Sequence, residues 1–249
     1  MRYKIILSYD GSAFNGWQVQ PDAPTVQGAL ETALGTLLRE KIAVTGAGRT
    51  DTGVNASYYV AHFDGPEADA ADLCYKLNAI LPPQISVSSV EPAAADFHAR
   101  FDAKQRQYTY YLHRSKDPFL ASRSYLCGYP VLDFDAMNRA AEHILGTHDF
   151  SCFEKTGGDN KTSICTVTAA KWERYEPEIA TGTECWRFTV SADRFLRNMV
   201  RAIVGTLLEV GRGRRTPESV AGLVANGDRC AAGESVPGHA LFLSGIRYE

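Results

Sequence analysis

Gly46-Ala47-Gly48-Arg49-Thr50-Asp51-Thr52-Gly53-Val54-Asn55-Ala56 is the stretch on which the reading of this chain turns. Its three glycines fall within eight residues, and glycine permits positive φ and close backbone approach, so the spacing predicts a sharp, shaped loop. Arg49 and Asp51 stand two positions apart among small residues that cannot hide them. The apolar run Ile42-Ala43-Val44 just before predicts a short strand, so the loop leaves a sheet edge. A carboxylate held beside a guanidinium stays ionised at neutral pH, as a nucleophile or general base requires. Plain turn chemistry also produces Gly-rich turns with an Asp. A phosphate loop is the rival chemical reading, since Gly46-x-Gly48 starts a dinucleotide fingerprint. The fingerprint fails at its third glycine, where Asp51 stands and would repel a pyrophosphate. The loop reads as catalytic rather than cofactor-cradling.

Working outward, 249 residues suffice for a sizeable core in one large domain or two intimate halves. No run of about 18 apolar residues exists, so no membrane span is expected. The chain opens directly on a strand pattern, so no secretory signal is expected. Cys74, Cys127, Cys152, Cys165, Cys185 and Cys230 form no Cys-x-x-Cys pair, so reduced thiols in the cytoplasm are expected, with no metal. The formal net charge of −3 argues mildly against a nucleic-acid binder, but a phosphate backbone meets a face and not an average. Arg194, Arg197, Arg201, Arg212, Arg214 and Arg215 are opposed within their span only by Glu209, and Arg100, Lys104 and Arg106 form a second basic group. Arginine suits bidentate phosphate contact and stacking on bases, although either group could equally be a solvated face.

Along the chain, residues 3–10 read as a strand, followed by Phe14 and Trp17 as core aromatics in a loop. Thr25 caps a helix whose apolar positions are Val26, Leu30, Ala33, Leu34, Leu37 and Leu38. Residues 57–63 and 85–90 read as strands, separated by a helix that Asp69 or Asp72 begins and Pro82-Pro83 stops. His98, Arg100 and Phe101 lie in a loop before a long strand over 104–114. On that strand Arg106, Tyr108 and Tyr110 share a face, and Thr109 and Tyr111 the other. Further on, Asp133 caps an amphipathic helix that Gly146 ends. Residues 150–162 read as a polar loop, whose Gly157-to-Thr162 ending has the wrong glycine spacing for a phosphate loop. Residues 165–175 and 183–191 read as a hairpin, 195–210 as an apolar helix, 216–226 as a last helix capped by Thr216, and 241–248 as a closing strand. Irregular alternation of strands and helices argues an α+β class with a mixed, mainly antiparallel sheet and helices packed on one side.

Gly48-Arg49-Thr50-Asp51-Thr52-Gly53-Val54 resembles the signature of the tRNA pseudouridine synthase A family. The resemblance continues through Tyr9-Asp10-Gly11 to Gly16-Trp17-Gln18, Phe97-His98-Ala99-Arg100-Phe101, Arg106-Gln107-Tyr108-Thr109-Tyr110, His148-Asp149-Phe150-Ser151 and Phe195-Leu196-Arg197-Asn198-Met199-Val200-Arg201. One departure is clear, since the family commonly has His after Gly-Val and here Asn55 stands. The resemblance implies the pseudouridine synthase fold: two similar α/β halves sharing a sheet, with a basic cleft between them and no flexible linker. The expected division is 1–115, carrying the catalytic loop, and 116–249, completing the cleft.

The reaction so implied is isomerisation of uridine to pseudouridine at positions 38, 39 and 40 of the tRNA anticodon arm, by a homodimer needing no cofactor. Asp51 is then the nucleophile, and Arg49 positions it and a nearby phosphate. Tyr108 matches the family's active-site Tyr, which lies against the target base and either stacks on it or helps remove the C5 proton. Arg100, Lys104, Arg106, Phe195, Arg197, Asn198 and Arg201 are expected to contact the RNA. Whether Asp51 attacks C1′ or the base stays open. Two alternatives remain: a non-catalytic structured-RNA-binding protein, and a nucleotide-dependent enzyme using the Gly46–Gly48 loop.

Overall fold

The computed structural model describes residues 1–155, 157, 161–180 and 182–249. Its chain forms two compact units, one of residues 1–104 and 242–249 and one of residues 105–241. The sequence reading divides the chain at 115/116 and leaves its end in the second half. The closing strand instead counts with the first unit, because its backbone pairs there.

In chain order the strands are β1 (Arg2–Tyr9), β2 (Val44–Gly46), β3 (Asn55–Asp64), β4 (Ile85–Pro92), β5 (Gln105–His113), β6 (Tyr125–Leu126), β7 (Gly146–Asp149), β8 (Ile164–Tyr175), β9 (Cys185–Ala192) and β10 (Leu241–Arg247). The helices are α1 (Val26–Leu38), α2 (Ala70–Ile80), α3 (Phe134–Glu142), α4 (Met199–Gly211) and α5 (Ser219–Asn226).

In the first unit β1 is the spine. Its Tyr3, Ile5, Leu7 and Tyr9 are buried on one face with half-buried residues between, the period of two expected of a strand against a core. Both neighbours run antiparallel to it, so that Ile5 pairs with Ala61 of β3 and with Val90 of β4. With β1 along one edge of β3, the other edge is shared: β2 pairs antiparallel near Phe63, and β10 pairs parallel at Asn55 and Ala56. The glycine stretch is thus the connection that leaves β2 and re-enters as β3.

Local signals in the sequence account for the helices. Thr25 accepts the amide of Gly28 at 3.2 Å and starts α1, a cap worth about 1 kcal/mol. Val26, Leu30 and Leu34 are then fully buried, each contributing roughly 1.5–3 kcal/mol. Asp69 caps α2 by accepting the amides of Ala71 and Asp72.

The second unit pairs β5, β9, β8 and β7 in that order, each antiparallel to the next, with the two-residue β6 parallel on β5. Asp133 caps α3, and α4 is buried along eleven of its thirteen residues. Trp172, Phe188 and Phe134 join in one aromatic core, with Trp172 5.3 Å from Phe188 and 5.6 Å from Phe134. The pairing of β8 with β9 is the expected hairpin, closing at Tyr175 and Cys185.

Several boundaries differ from the sequence reading. Strand β2 takes only Val44 of the apolar run and extends into the glycines, because its partner residues Ala61 to Phe63 lie there. Helix α3 stops at Glu142, and Gly146, at φ +99°, opens strand β7 rather than closing the helix. Helix α4 begins four residues later than expected, since Asn198 adopts the left-handed region at φ +66° and turns the chain. At α5, Ser219 and Val220 reach back only three residues, to Thr216 and Pro217, so the first turn is a tight one and the regular helix starts at Ser219. Of the 157–162 stretch, residues 158–160 lie outside the described residues.

A strap formed by residues 229–236 crosses α4 in backbone contact. A Cβ on Gly205 would meet the carbonyl oxygen of Glu234 at 1.7 Å, while Gly233 donates to the buried Thr206 hydroxyl at 2.9 Å. By contrast, a Cβ on Gly222 in α5 would meet nothing within 4 Å. Gly205→Ala should therefore destabilise the protein by about 3 kcal/mol or more, and Gly222→Ala should stabilise it by up to about 1 kcal/mol, in urea titrations followed by circular dichroism. Equal effects from the two substitutions would remove the strap as the reason for Gly205.

Candidate active site

The loop between β2 and β3 is built on three aromatic side chains. Tyr9 ends β1, Tyr59 lies mid-β3, and Trp17 comes from the turn after β1; all three are buried. The Trp17 ring stacks on Tyr59 with centroids 4.1 Å apart, and Tyr9 lies 5.5 Å from Tyr59. Only glycine fits at position 46, where a Cβ would stand 2.2 Å from the Tyr59 hydroxyl and 2.5 Å from the Trp17 ring. The Tyr59 hydroxyl donates to the carbonyl of Gly48, and the Gly48 amide lies 3.4 Å from the same oxygen. The Tyr9 hydroxyl meets the Thr50 hydroxyl at 2.8 Å in a buried contact.

Backbone bonds fix the rest of the loop. Ala47 donates to the carbonyl of Val60, Trp17 to that of Thr50, and Val54 to that of Asp51, at 2.9, 3.2 and 3.1 Å. Gly53, at φ +74°, donates to the Phe14 carbonyl at 3.4 Å. Thr50 and Val54 are therefore buried on either side of a half-buried Asp51, while Arg49 is exposed. A carboxylate on such a frame is held by its backbone, before any substrate arrives. Asn55, the departure from the family pattern, is buried and accepts the Gly11 amide at 2.8 Å through its Oδ1. That bond ties the end of β1 to the end of the loop.

The remaining expected residues divide between the units. In the first, Arg100 is exposed on the turn at 97–102, and the exposed Lys104 donates its amide to Arg247 at 2.8 Å. In the second, Tyr108 on β5 and Phe195 come together edge to face, with centroids 5.1 Å apart and planes at 89°. Arg106 donates to the carbonyl of Asp193 at 2.8 Å, bracing the turn that leads to Phe195. Tyr110 is fully buried, with burial raising its phenol pKa above the ordinary tyrosine range, so it serves the core.

The arginine-rich span 194–215 has several structural duties. Arg201 gives its Nε to the Val236 carbonyl at 2.7 Å, and Asn198 donates to Ser235 at 2.6 Å, both on the strap. Arg215 pairs with Glu209 at 2.9 Å, and Arg212 lies 3.6 Å over the Tyr129 ring. Arg197 and Arg214 are exposed.

Sequence reasoning missed Tyr59 and the capping role of Asn55, and took Trp17 only as core. The available signal was Gly46 itself, a non-turn glycine two residues before the signature. Among the described residues no three His, Cys, Asp or Glu side chains gather as a metal set. The Gly46–Gly48 stretch runs from strand to strand, with no helix N-terminus after it to receive a phosphate, so the nucleotide reading loses its geometry.

Tyr59→Phe keeps the stack on Trp17 and removes the donor to Gly48. Amide exchange across residues 47–54 should then speed about five- to tenfold, with β1 and β4 unchanged, when read by hydrogen–deuterium exchange mass spectrometry. Unchanged exchange in the loop would mean that the stack alone holds it.

The family model described as tRNA pseudouridine synthase matches residues 5–102 and 140–249. A tRNA pseudouridine synthase A of Bacteroides thetaiotaomicron is 50% identical over 248 residues, covering 99% of this chain and 90% of that protein. One of Parabacteroides distasonis is 49% identical, covering 99% and 96%. One of Bacillus subtilis is 40% identical over 253 residues and covers all of both chains.

Proposed function

This chain belongs to the tRNA pseudouridine synthase family, and from that premise we propose that it isomerises uridines at positions 38, 39 and 40 of the tRNA anticodon arm, with Asp51 as nucleophile. The enzyme class, an isomerase, comes with the family. The observation that carries the assignment of Asp51 is the clamped loop, which holds this carboxylate half-buried on a frame bonded at nearly every residue.

The chemistry balances within one nucleotide. The N1–C1′ bond breaks, the uracil turns, C5 bonds to C1′, and the proton leaving C5 is matched by one gained at N1. A carboxylate can carry a covalent intermediate through this sequence without redox change. Arg49, exposed beside Asp51, suits contact with a neighbouring phosphate. A paired uracil hides its reacting edge, so the base must leave the stack at a cost of a few kcal/mol. Tyr108, its ring set edge-on by Phe195, suits packing against the extruded base or removal of the C5 proton. Arg100, Lys104, Arg106, Arg197, Asn198 and Arg201 complete the RNA contacts in this reading. Its setting is the cytoplasm, where tRNA is used, and its active form is the homodimer known for the family. No helix of the described residues is long and apolar enough to cross a membrane.

The test is incubation of the purified protein with undermodified tRNA, without added metal or nucleotide, followed by mapping of pseudouridine. Product at 38, 39 or 40 is expected. Asp51→Asn is nearly isosteric and should bind tRNA normally while losing product formation, because catalysis worth roughly 8 kcal/mol or more rests on the nucleophile. Near-normal turnover by that variant would remove Asp51 from the role.

Tyr108→Phe separates the two tasks of the phenol. If its oxygen moves the C5 proton, the rate after glycosidic cleavage should fall by about two to four orders of magnitude, with a larger isotope effect from deuterium at C5. Full activity without a new isotope effect would leave Tyr108 as a packing surface.

A further inference from the structure

The turn at residues 97–102 presents an exposed aromatic ring on a fully braced frame. His98 donates its amide to the Asp102 carboxylate at 2.7 Å, and the Asp102 amide returns to the His98 carbonyl at 3.0 Å. The Nδ1 of His98 accepts the amides of both Arg100 and Phe101 at 3.2 Å. Between them, Ala99 donates to Nδ1 of the buried His62 at 3.1 Å, and its carbonyl accepts the Tyr248 hydroxyl at 2.7 Å. Two imidazoles, a carboxylate and a phenol are thus spent on six residues of backbone. Frames of this kind are the mark of a site whose side chains must be held in place.

What the frame presents is Phe101. Phe101 is 73% exposed, among the most exposed large apolar residues of those described. One side of the ring lies on His98, with centroids 4.2 Å apart and planes at 31°. The guanidinium of Arg100 stands 5.7 Å from the ring centre, and Lys104 is exposed three residues on. Leaving a phenyl ring in water forgoes the stabilisation of burying it, and the protein has fixed this ring there. A π-face backed by an imidazole and flanked by cations matches the surface of an unpaired base with its phosphate. The Asp102 carboxylate does not spoil the match, since one of its oxygens is turned to the His98 amide.

We propose that Phe101, backed by His98 and flanked by Arg100, is a stacking platform for one unpaired base of the tRNA, distinct in role from the uridine that reacts. The proposal rests on the reading of tRNA as substrate. It gives the turn a specific task, which is to recognise a loop or an end where bases are unstacked, in preference to a continuous helix.

The test is the affinity of full-length protein for an undermodified tRNA transcript, measured by fluorescence anisotropy at several salt concentrations. Phe101→Ala and Phe101→Leu should each weaken binding by about five- to a hundredfold, and Phe101→Trp should bind as well as the parent or better. Because no phosphate contact is lost, the slope of log affinity against log salt should equal that of the parent. The Trp variant should also lose tryptophan fluorescence on adding the transcript. Melting temperatures of all three variants should match the parent, as the ring lies outside the core.

Parent-like affinity in Phe101→Ala would overturn the platform. So would parent-like affinity in Phe101→Leu, which would make the contact merely apolar. A changed sedimentation coefficient in Phe101→Ala, with tRNA affinity intact, would assign the ring to contact between copies of the chain and overturn it too. Conversion of uridine by the parent protein is read on the same transcript. A parent that binds through Phe101 yet makes no pseudouridine would sink the isomerase reading and leave the platform standing.

Discussion

The hydroxyl of Tyr59, donated to the carbonyl of Gly48 from a ring stacked on Trp17, is the constraint on which the shape of the 46–54 loop depends. It joins the middle of β3 to the loop that precedes it, so sheet and loop become one rigid piece. Gly46 must lack a side chain for the rings to fit, and Thr50 must carry a hydroxyl to meet Tyr9. Asp51 inherits its position from these neighbours. Preorganisation of this kind places the cost of ordering the loop in folding, before any ligand arrives. Asn55 extends the same logic, since its amide oxygen satisfies a buried Gly11 amide that would otherwise cost about 1–3 kcal/mol.

The distribution of arginines shows how a chain of net charge −3 can still present basic surface. In the 194–215 span, Arg215 and Glu209 meet in a partly exposed pair of small energetic value, and Arg212 covers Tyr129. Arg201 has its Nε on the Val236 carbonyl of the strap. Asn198 is bound by Ser235 just where the backbone turns left-handed. The strap therefore braces the entry to α4 at Asn198 and holds Arg201 one turn on.

Patterns local in sequence were legible. The period of two in residues 3–9, the Thr25 and Asp133 caps, an aspartate at 69 or 72 starting α2, and the β8–β9 hairpin all follow from side-chain chemistry within a few residues of one another. The shaped loop at 46–54 was legible because its glycines and small residues set Arg49 and Asp51 apart, and the family was legible because its motifs recur in order. What escaped was set by distant partners. Nothing near Leu241 states that its strand will lie parallel to Asn55, and nothing near Gly146 states that it will pair with Val167. Apolar spacing alone ran α4 back to Phe195, since periodicity does not register one residue with positive φ. Phe101 was visible as a letter but not as an exposed ring, because exposure belongs to the folded surface.

The parallel pairing of Phe242 with Asn55 has a consequence for how the protein is born. A ribosome emits the chain from its amino end, so β1, β3 and β4 are outside long before β10 exists. Between them the whole second unit must be made, which at typical speeds of synthesis takes roughly seven to thirty seconds. Throughout that interval the strand that follows Asp51 has one edge open where β10 will lie. The loop that carries Asp51 is thus among the first segments to be made, and its supporting sheet among the last to be finished. An enzyme so arranged matures only once its chain has reached Phe242, and a truncated product would carry Asp51 without the strand that completes its support.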